Sequence, residues 1–317
     1  MTQLKLLGLV AGALAAGLMA TSAAAADTRV TYKSAKAGSS YYQMAVELAE
    51  SMPDSVDVTV EESQGSVQNV MESAIRGGDY VFTTPPALVR LAKEGKAMFA
   101  ERANPKFAEI RALFPIPSLT MHFVVRADQN VADLAGLEGK TVLLGKGSFG
   151  AREGAKYLEM FGLDGKVEIA DAELSNAVAA LKNGQIDAFV TAGSYPAPNV
   201  IEAAAGTGVT VLSLSDDQVE ATKRTRLVIP AGTYPGQDED IVTTSLPVVA
   251  YSTTGMGDDT AYTLTKAFWE GQDTLGARSR WWDGVTPALL ENITGAIHPG
   301  ALRYYDEIGV RVPEAAR

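Results

Sequence analysis

Apolar and polar positions alternate with two different periods along the first part of the chain. Three short apolar runs are typical of strands buried in a sheet: 30–33, 56–60 and 80–82. Between these runs, apolar residues recur every three or four positions, which predicts amphipathic helices over 42–52 and 67–75. A Gly77-Gly78 pair ends the second helix. Strands that alternate with helices in this way predict an α/β unit with a parallel sheet and helices packed on it.

The same order of elements returns in the middle of the chain. Three more apolar runs have the strand pattern: 141–144, 167–170 and 188–190. Matching landmarks are separated by 109 positions from Gly38 to Gly147 and by 108 positions from Asp79 to Asp187. This nearly constant offset predicts two similar βαβαβ units, although a shared architecture without a duplication would give the same pattern.

Two further segments, 117–125 and 244–251, resemble each other and enclose the second unit. Both have the composition of strands, which predicts that they cross between two lobes. The predicted fold class is therefore α/β with two lobes, each a mixed, mostly parallel sheet flanked by helices and joined to the other by two crossing strands. Lobe I would comprise 27–121 and 252–317, and lobe II would comprise 122–251. Two crossings form a hinge, so that the lobes can close on a small ligand.

The first 26 residues have the composition of a secretory signal peptide. Lys5 precedes an apolar run over 6–19, and the alanines at 24–26 offer a small-residue cleavage site. The pattern predicts cleavage after residue 26 and a periplasmic location. An uncleaved membrane anchor is the alternative, but the run is short and rich in Ala and Gly for that role.

The chain is acidic and contains no cysteine. Its formal net charge is −11, and it becomes −12 when Lys5 is lost with the signal peptide. An acidic surface argues against a nucleic-acid partner, which requires a basic face. Without cysteine the protein has no disulfide and no thiolate chemistry, so its core must stabilise it.

Four short segments resemble the TAXI-type solute-binding receptors of TRAP transporters. The most specific is Ile229-Pro-Ala-Gly-Thr-Tyr-Pro-Gly-Gln-Asp-Glu-Asp240. The others are Gly65-Ser-Val-Gln-Asn69, Asn183-Gly-Gln-Ile-Asp-Ala188 and His298-Pro-Gly-Ala-Leu-Arg-Tyr-Tyr305. The resemblance covers nearly all of the chain after residue 26 and implies a periplasmic binding protein fold of the type II-like class. It also implies an extracytoplasmic receptor that delivers its solute to an ion-gradient-driven permease.

Two loops depart from the pattern of that family. The segment 35–42 lacks the Gly-rich Gly-Thr-Gly-Gly-Thr-Tyr-Tyr pattern, and Phe149 interrupts the segment 148–151, where family members carry Gly-Ser-Gly-Thr. Both loops belong to the expected pocket. The resemblance therefore predicts the fold and the receptor role, and it does not identify the ligand.

Small and hydroxylated residues follow the predicted strands in both units. Loops that leave parallel strands meet at one edge of the sheet, where helix N-termini point backbone N–H groups at an anion. These loops supply the candidate ligand-binding residues Gly38, Ser39, Ser40, Tyr41, Tyr42, Gly65, Ser66, Thr83, Thr84, Ser148, Phe149, Thr191, Gly193, Ser194 and Tyr195.

Each candidate also has a purely structural alternative. Ser39 and Ser40 can cap a helix instead of binding a ligand. Arg152 is predicted near a helix start, where a cation opposes the helix dipole, so that either an anionic ligand offsets it or it is a solvated surface side chain. Through the resemblance, Tyr234 and Gln237 are further candidates near the cleft and hinge.

The sequence contains no recognisable catalytic constellation. Its two histidines, His122 and His298, lie far apart, and no nucleophile elbow, phosphate loop or zinc motif is present. We therefore expect no enzymatic activity, no cofactor and no metal. The acidic run 237–240 could hold a cation but is typical of a solvated turn.

The sequence predicts a monomer that captures a small organic anion, namely a dicarboxylate, an oxo acid or an acidic amino acid, for a TRAP-type permease. A binding protein of an ABC importer, or a ligand sensor for a histidine kinase, is the alternative. These classes share their fold and are not separated by the residues of the receptor itself.

Overall fold

The computed structural model describes residues 28–317. The predicted signal peptide, 1–26, lies outside the described residues. Within the described part, no helix is long and apolar enough to cross a membrane.

The first βαβαβ unit, residues 28–84 and below called the first unit, forms as the sequence pattern predicts. Its elements are β1 (Thr28–Lys33), α1 (Ser40–Ser51), β2 (Val56–Glu61), α2 (Ser66–Ser73) and β3 (Tyr80–Thr84). Strand β1 is parallel to both β2 and β3 and lies between them. Helix α3 (Pro86–Lys93) follows, and its proline occupies the first helical turn, where a missing N–H has no cost.

The second βαβαβ unit, residues 141–193 and below called the second unit, repeats this arrangement. Its elements are β5 (Thr141–Leu143), α4 (Phe149–Met160), β6 (Glu168–Ala170), α5 (Ala177–Lys182) and β7 (Ala188–Gly193). Strand β5 lies between β6 and β7 and is parallel to both. The unit is followed by α6 (Pro198–Thr207), β8 (Val209–Val211), α7 (Asp216–Thr222) and β9 (Thr225–Ile229).

Two long antiparallel strands join the units, as the paired segments predict. They are β4 (Ile110–Arg126) and β10 (Ile241–Thr253), which pair with each other from Ser245 opposite Thr120 to Thr253 opposite Ile110. Strand β10 also pairs with β3 of the first unit, and β4 pairs with β7 of the second unit. The sheet is therefore continuous, in the order β2-β1-β3-β10-β4-β7-β5-β6. The predicted fold class is confirmed, whereas the lobe boundaries inside β4 and β10 stay predictions.

The C-terminal helices cover the sheet on the side of the first unit. They are α8 (Asp258–Glu270), α9 (Gln272–Arg278) and α10 (Pro299–Glu307). Helix α8 packs on β1, β2 and β4, where Phe268 stacks on Phe114 with ring centroids 3.9 Å apart. Burial of aromatic side chains of this size dominates the free energy of packing, so this contact ties the C-terminal helices to the crossing strand.

Candidate functional site

The loops that leave the strands of both units enclose a small cavity. Its volume is about 80 Å³. The first unit contributes Ser34 to Lys36, Ser39, Tyr41, Gln64 to Ser66 and Thr83, and the second unit contributes Lys146, Ser148 to Gly150, Glu173, Leu174 and Ala192. Leu119 of β4 and Val248 of β10 complete the lining. The cavity thus lies between the units and against the crossing strands, at the strand ends where ligands bind in open α/β sheets.

Three helices begin at this cavity. Ser39 is the N-cap of α1 and accepts a hydrogen bond from the Tyr42 N–H, and Ser148 is the N-cap of α4 and accepts one from the Ala151 N–H. Helix α2 differs, because its N-cap is Gly65 and no side chain caps it. Gly65 adopts a φ of 110°, a conformation that favours glycine. The partial positive charge of each helix N-terminus is therefore directed toward the cavity from two units.

Seven of the predicted site residues line the cavity: Ser39, Tyr41, Gly65, Ser66, Thr83, Ser148 and Phe149. Three of their hydroxyl groups already donate hydrogen bonds within the protein, among them that of Ser39, which donates to the Lys36 carbonyl at 2.7 Å. Thr83 donates to the Tyr32 hydroxyl at 3.0 Å, and Tyr41 donates to the Pro117 carbonyl at 3.0 Å. Burial raises the pKa of Tyr41 above its usual range, so its phenol stays protonated and remains a donor.

Ser40 and Ser194 lie beside the cavity and bring the units into contact. The Ser194 N–H donates to the Ser40 Oγ at 3.1 Å, and the Ser194 hydroxyl donates to the Ser118 carbonyl. Gly193 packs directly on the Ser40 side chain. These residues therefore hold the two units together, and none of them lines the cavity.

The remaining predicted residues occupy other positions. Gly38 is exposed, Tyr42 is half-buried, and Thr84 is fully buried in β3. Thr191 accepts a hydrogen bond from the Asn199 side chain, and Tyr195 lines a separate pocket. All five lie outside the lining of the cavity.

Arg152 is also outside the cavity. Its side chain is exposed and lies at a shallow surface depression with residues 97–102. Helix α4 has its N-cap at Ser148, so Arg152 lies one full turn further along the helix, and it is not part of the cavity lining. The structure thus agrees with the solvated alternative for this side chain.

Tyr234 and Gln237 stabilise their own loop instead of facing the cavity. The Gln237 side chain accepts from the Tyr234 N–H and donates to the Pro230 carbonyl, which closes the turn. Tyr234 is 3% exposed, and its hydroxyl accepts from the Ala197 N–H at 3.0 Å. The same hydroxyl lies 2.8 Å from His122 Nε2.

This geometry assigns the protonation of His122. The Thr120 carbonyl, 3.2 Å from Nδ1, can only accept a hydrogen bond, so Nδ1 carries the proton of the neutral ring. Nε2 is then unprotonated and accepts from the Tyr234 hydroxyl. Complete burial lowers the pKa of His122 to about 4, so the ring is neutral at pH 7. The histidine is a buried structural link between β4 and the 230–240 loop.

Sequence reasoning missed the charged residues at the mouth of the cavity. Lys36 of the first unit pairs with Glu173 of the second at 3.3 Å, and both side chains are partly exposed. Lys146 pairs with Asp171 at 2.8 Å. In the sequence, only the position of the two lysines in the loops after β1 and β5, next to the candidate glycines and serines, indicates a role at the cavity. Among residues 28–317, no three acidic or histidine side chains gather into a group that could hold a metal ion.

A second pocket is larger, with a volume of about 520 Å³. Its lining includes residues of the crossing strand β4 and Tyr195, Thr233, Arg280 and Trp281. No residue of the first unit lines it, so it lacks the facing strand ends that define the cavity. We therefore regard the smaller cavity as the candidate ligand site.

Comparison with known proteins places the architecture among binding proteins. A model of the NMT1-like family matches residues 33–309. The periplasmic binding protein BugD superimposes with a TM-score of 0.58 at 12% identity, over 90% of this chain and 99% of that chain. MatC from Rhodopseudomonas palustris with bound malate gives a TM-score of 0.54 at 13% identity, over 88% and 98%. A protein of Bordetella bronchiseptica RB50 gives 0.51 at 17% identity, over 91% and 86%. At these identities the neighbours show a shared fold.

Proposed function

Because this chain belongs to the NMT1-like family and shares its fold with a periplasmic binding protein, we propose that it captures a small organic anion between its two units and delivers it to a membrane permease. We propose that it binds its solute without catalysis. We place the ligand in the cavity between the first and the second unit.

The observation that carries this proposal is the convergence of α1, α2 and α4 on one cavity. Each helix N-terminus favours a negative charge by about 0.3–1 kcal/mol when exposed, and by up to about 2 kcal/mol when partly buried. The unpaired backbone N–H groups of a first helical turn also donate hydrogen bonds to an anion. The absence of a side-chain cap on α2 leaves its N–H groups available to a carboxylate.

The contacts across the cavity support capture by closure. Ser40 with Ser194, and Lys36 with Glu173, join the two units in the described conformation. A ligand that touches both units adds its contacts only when the units meet, so it shifts the population toward this form. The closed form would then be the one that docks on the permease. The malate bound to MatC, a protein of the same fold, is consistent with an anionic ligand.

We propose further that the receptor is a periplasmic monomer and that its partner is a permease of the TRAP type. The segment 229–240 and its three companion segments support this assignment through their resemblance to TAXI-type receptors. A neighbouring gene for a fused permease with many membrane spans would support it. A neighbouring gene for a nucleotide-binding subunit would contradict it and favour an ABC importer.

A thermal-shift screen of the purified protein tests the ligand class. Small carboxylates, amines and neutral sugars are compared at equal concentrations. A ligand at about 100 times its dissociation constant stabilises the folded state by about 2.7 kcal/mol, which corresponds to roughly 5–10 °C for a protein of this size. We expect carboxylates alone to raise the melting temperature. A shift with amines or sugars, and none with acids, would overturn the proposal.

The variant Ser66→Asp makes the screen specific for the cavity. An aspartate in the first turn of α2 suits the helix dipole and preserves folding, but its charge repels an anion in the cavity. We expect binding at least tenfold weaker. Ser55→Asp adds the same charge at an exposed position before β2, at the opposite end of the strands from the cavity, and serves as the matched control. Equal losses of affinity in both variants would show that the added charge weakens binding through the overall charge of the protein and not at the cavity.

A further inference from the structure

Carbon atoms form most of the wall of the cavity between the units. The apolar side chains that line it are Ala35, Leu119, Phe149, Leu174, Ala192 and Val248. Phe149 is the first residue of α4 and is buried, so its ring lies at the helix N-terminus that faces the cavity. Apolar surface of this extent favours a ligand that carries an apolar part of its own.

Most hydroxyl groups of the lining are already occupied. Ser34 donates to the Tyr41 carbonyl, and Ser39 donates to the Lys36 carbonyl. Thr83 and Tyr41 donate to protein acceptors as described above, and Ser148 caps α4. The donors that remain for a ligand are the backbone N–H groups at the starts of the three helices, the Ser66 and Ser148 hydroxyls and the Gln64 side-chain amide.

The cations of the lining are occupied as well. Lys36 is paired with Glu173, and Lys146 is paired with Asp171, and the exposed fractions of these two lysines are 36% and 64%. Both pairs therefore lie at the mouth of the cavity. Among the described residues, no other cationic side chain lines the cavity. One carboxylate can bind at the helix N-termini, but a second would be buried against carbon without a counter-charge, which is strongly unfavourable.

We propose that the ligand is a short monocarboxylate with an apolar tail of about three or four carbons, and not a dicarboxylate. This inference rests on the proposed function, because it concerns the same cavity. The carboxylate binds at the helix N-termini, and the tail packs on Leu119, Phe149 and Val248. The volume of about 80 Å³ sets the size, since one water needs about 10–15 Å³ on the same scale, so roughly five to eight heavy atoms fit.

A matched pair of oxo acids tests the proposal by calorimetry. 2-Oxopentanoate and 2-oxoglutarate have equal chain lengths and differ only in whether the far end is a methyl group or a carboxylate. We expect 2-oxopentanoate to bind at least tenfold more tightly. Equal affinity, or a preference for 2-oxoglutarate, would overturn this inference and leave the anion receptor standing. Binding of neither acid, with binding of amines or sugars, would overturn both proposals.

The variant Leu174→Lys tests whether the missing cation sets the preference. Leu174 is half-buried on the cavity wall, so a lysine there can reach the ligand without filling the protein core. We expect the preference for 2-oxopentanoate over 2-oxoglutarate to fall at least fivefold. Ile169→Lys introduces the same charge at a side chain that is 49% exposed and outside the cavity, and should leave the preference unchanged. An unchanged preference in both variants would contradict the proposal.

Discussion

The Ser40 hydroxyl accepts a hydrogen bond from the Ser194 N–H across 154 positions of sequence. Ser40 opens α1 of the first unit, and Ser194 directly follows β7 of the second unit. Both residues are buried, so the bond lies in a region of low dielectric and its loss leaves an N–H without water. This single bond therefore couples the start of a cavity-lining helix to the opposite unit.

Ser40→Ala should weaken ligand binding without unfolding the protein. The variant leaves the Ser194 N–H unpaired whenever the units meet, at a cost of about 1–2 kcal/mol, which corresponds to roughly five- to thirtyfold weaker binding. Calorimetric titration with the best acid from the thermal-shift screen measures the change.

Ser51→Ala is the control for this variant. Ser51 ends the same helix, and its hydroxyl only bonds the Leu48 carbonyl within that helix. It should bind the acid as the wild type does. If Ser40→Ala and the wild type had equal affinities, the bond between the units would play no part in closure.

Gly193→Ala should interfere at the same contact for a steric reason. A Cβ atom on Gly193 would overlap the Ser40 Oγ, whereas the Ser40 Cβ is 3.7 Å away and in ordinary contact. The hydroxyl must then move and give up its bond to Ser194, or the units must separate. We expect at least tenfold weaker binding by calorimetry.

A double-mutant cycle distinguishes this overlap from general damage. Removal of the hydroxyl in Ser40→Ala also removes the overlap, so the double variant should bind no more weakly than Gly193→Ala alone. Strictly additive losses would mean that the two residues act independently.

Glu47→Leu should destabilise the protein through a buried carboxylate. Glu47 of α1 accepts hydrogen bonds from Trp281 and Trp282 at 2.9 Å each and from the Ser279 hydroxyl at 2.6 Å. A leucine leaves three donors unpaired, so the free energy of unfolding should fall by about 3 kcal/mol or more. Urea denaturation followed by tryptophan fluorescence measures the loss.

Two milder variants define the cause of that loss. Glu47→Gln keeps an acceptor oxygen and should cost clearly less than Glu47→Leu. Glu50→Gln removes an exposed pairing with Arg278 on the same helix and should cost less than about 1 kcal/mol. Similar losses for Glu47→Leu and Glu50→Gln would rule out the buried hydrogen bonds as the source.

His122 should make the protein less stable in mild acid. Its folded pKa of about 4 lies below the ordinary value of 6.5, so the unfolded chain takes up the proton first as the pH falls. The contribution is fully present above pH 6.5 and is lost between about pH 6.5 and 4, to a total of roughly 3 kcal/mol. Between pH 6.5 and pH 4, the free energy of unfolding should therefore fall by about 3 kcal/mol more in the wild type than in His122→Gln.

A direct titration of the His122 ring by NMR provides a second measurement, which does not require the variant to fold. A folded pKa near 6.5 would contradict the assignment of a neutral, buried ring bonded to Tyr234.

The repeated unit was predictable because each of its signals is local. Buried parallel strands are short apolar runs, and Gly162 and Gly184 directly follow the C-caps of the helices between them. The order of strands and helices can therefore be read along the sequence. The pairing of β4 with β10 into one continuous sheet was not visible. Both segments have a strand pattern in the sequence, but pairing over more than a hundred positions has no local signature.

The site was predictable only as far as backbone geometry decides it. Loops after parallel strands converge, and this placed Ser39, Ser66 and Phe149 at the cavity. Whether a side chain faces the cavity depends on how far along the helix the residue lies and on whether the side chain bonds to another part of the protein instead. Arg152 lies one turn too far along α4, and Tyr234 is bound to His122, facts that depend on the folded chain.

Exchange of Lys36 and Glu173 should show that the pair closes the cavity mouth and does not bind the ligand. Lys36→Glu alone replaces the attractive pair by two like charges and should weaken binding about fivefold, because partly exposed pairs contribute up to about 1 kcal/mol. Lys36→Glu combined with Glu173→Lys restores an attractive pair in reverse order and should recover affinity to within about twofold. The single-variant loss should shrink at 1 M salt, since the Debye length is then about 3 Å. If the exchanged pair bound the acid as poorly as the single variant, Lys36 would be contacting the carboxylate itself, and the view of the cavity as free of available cations would fail.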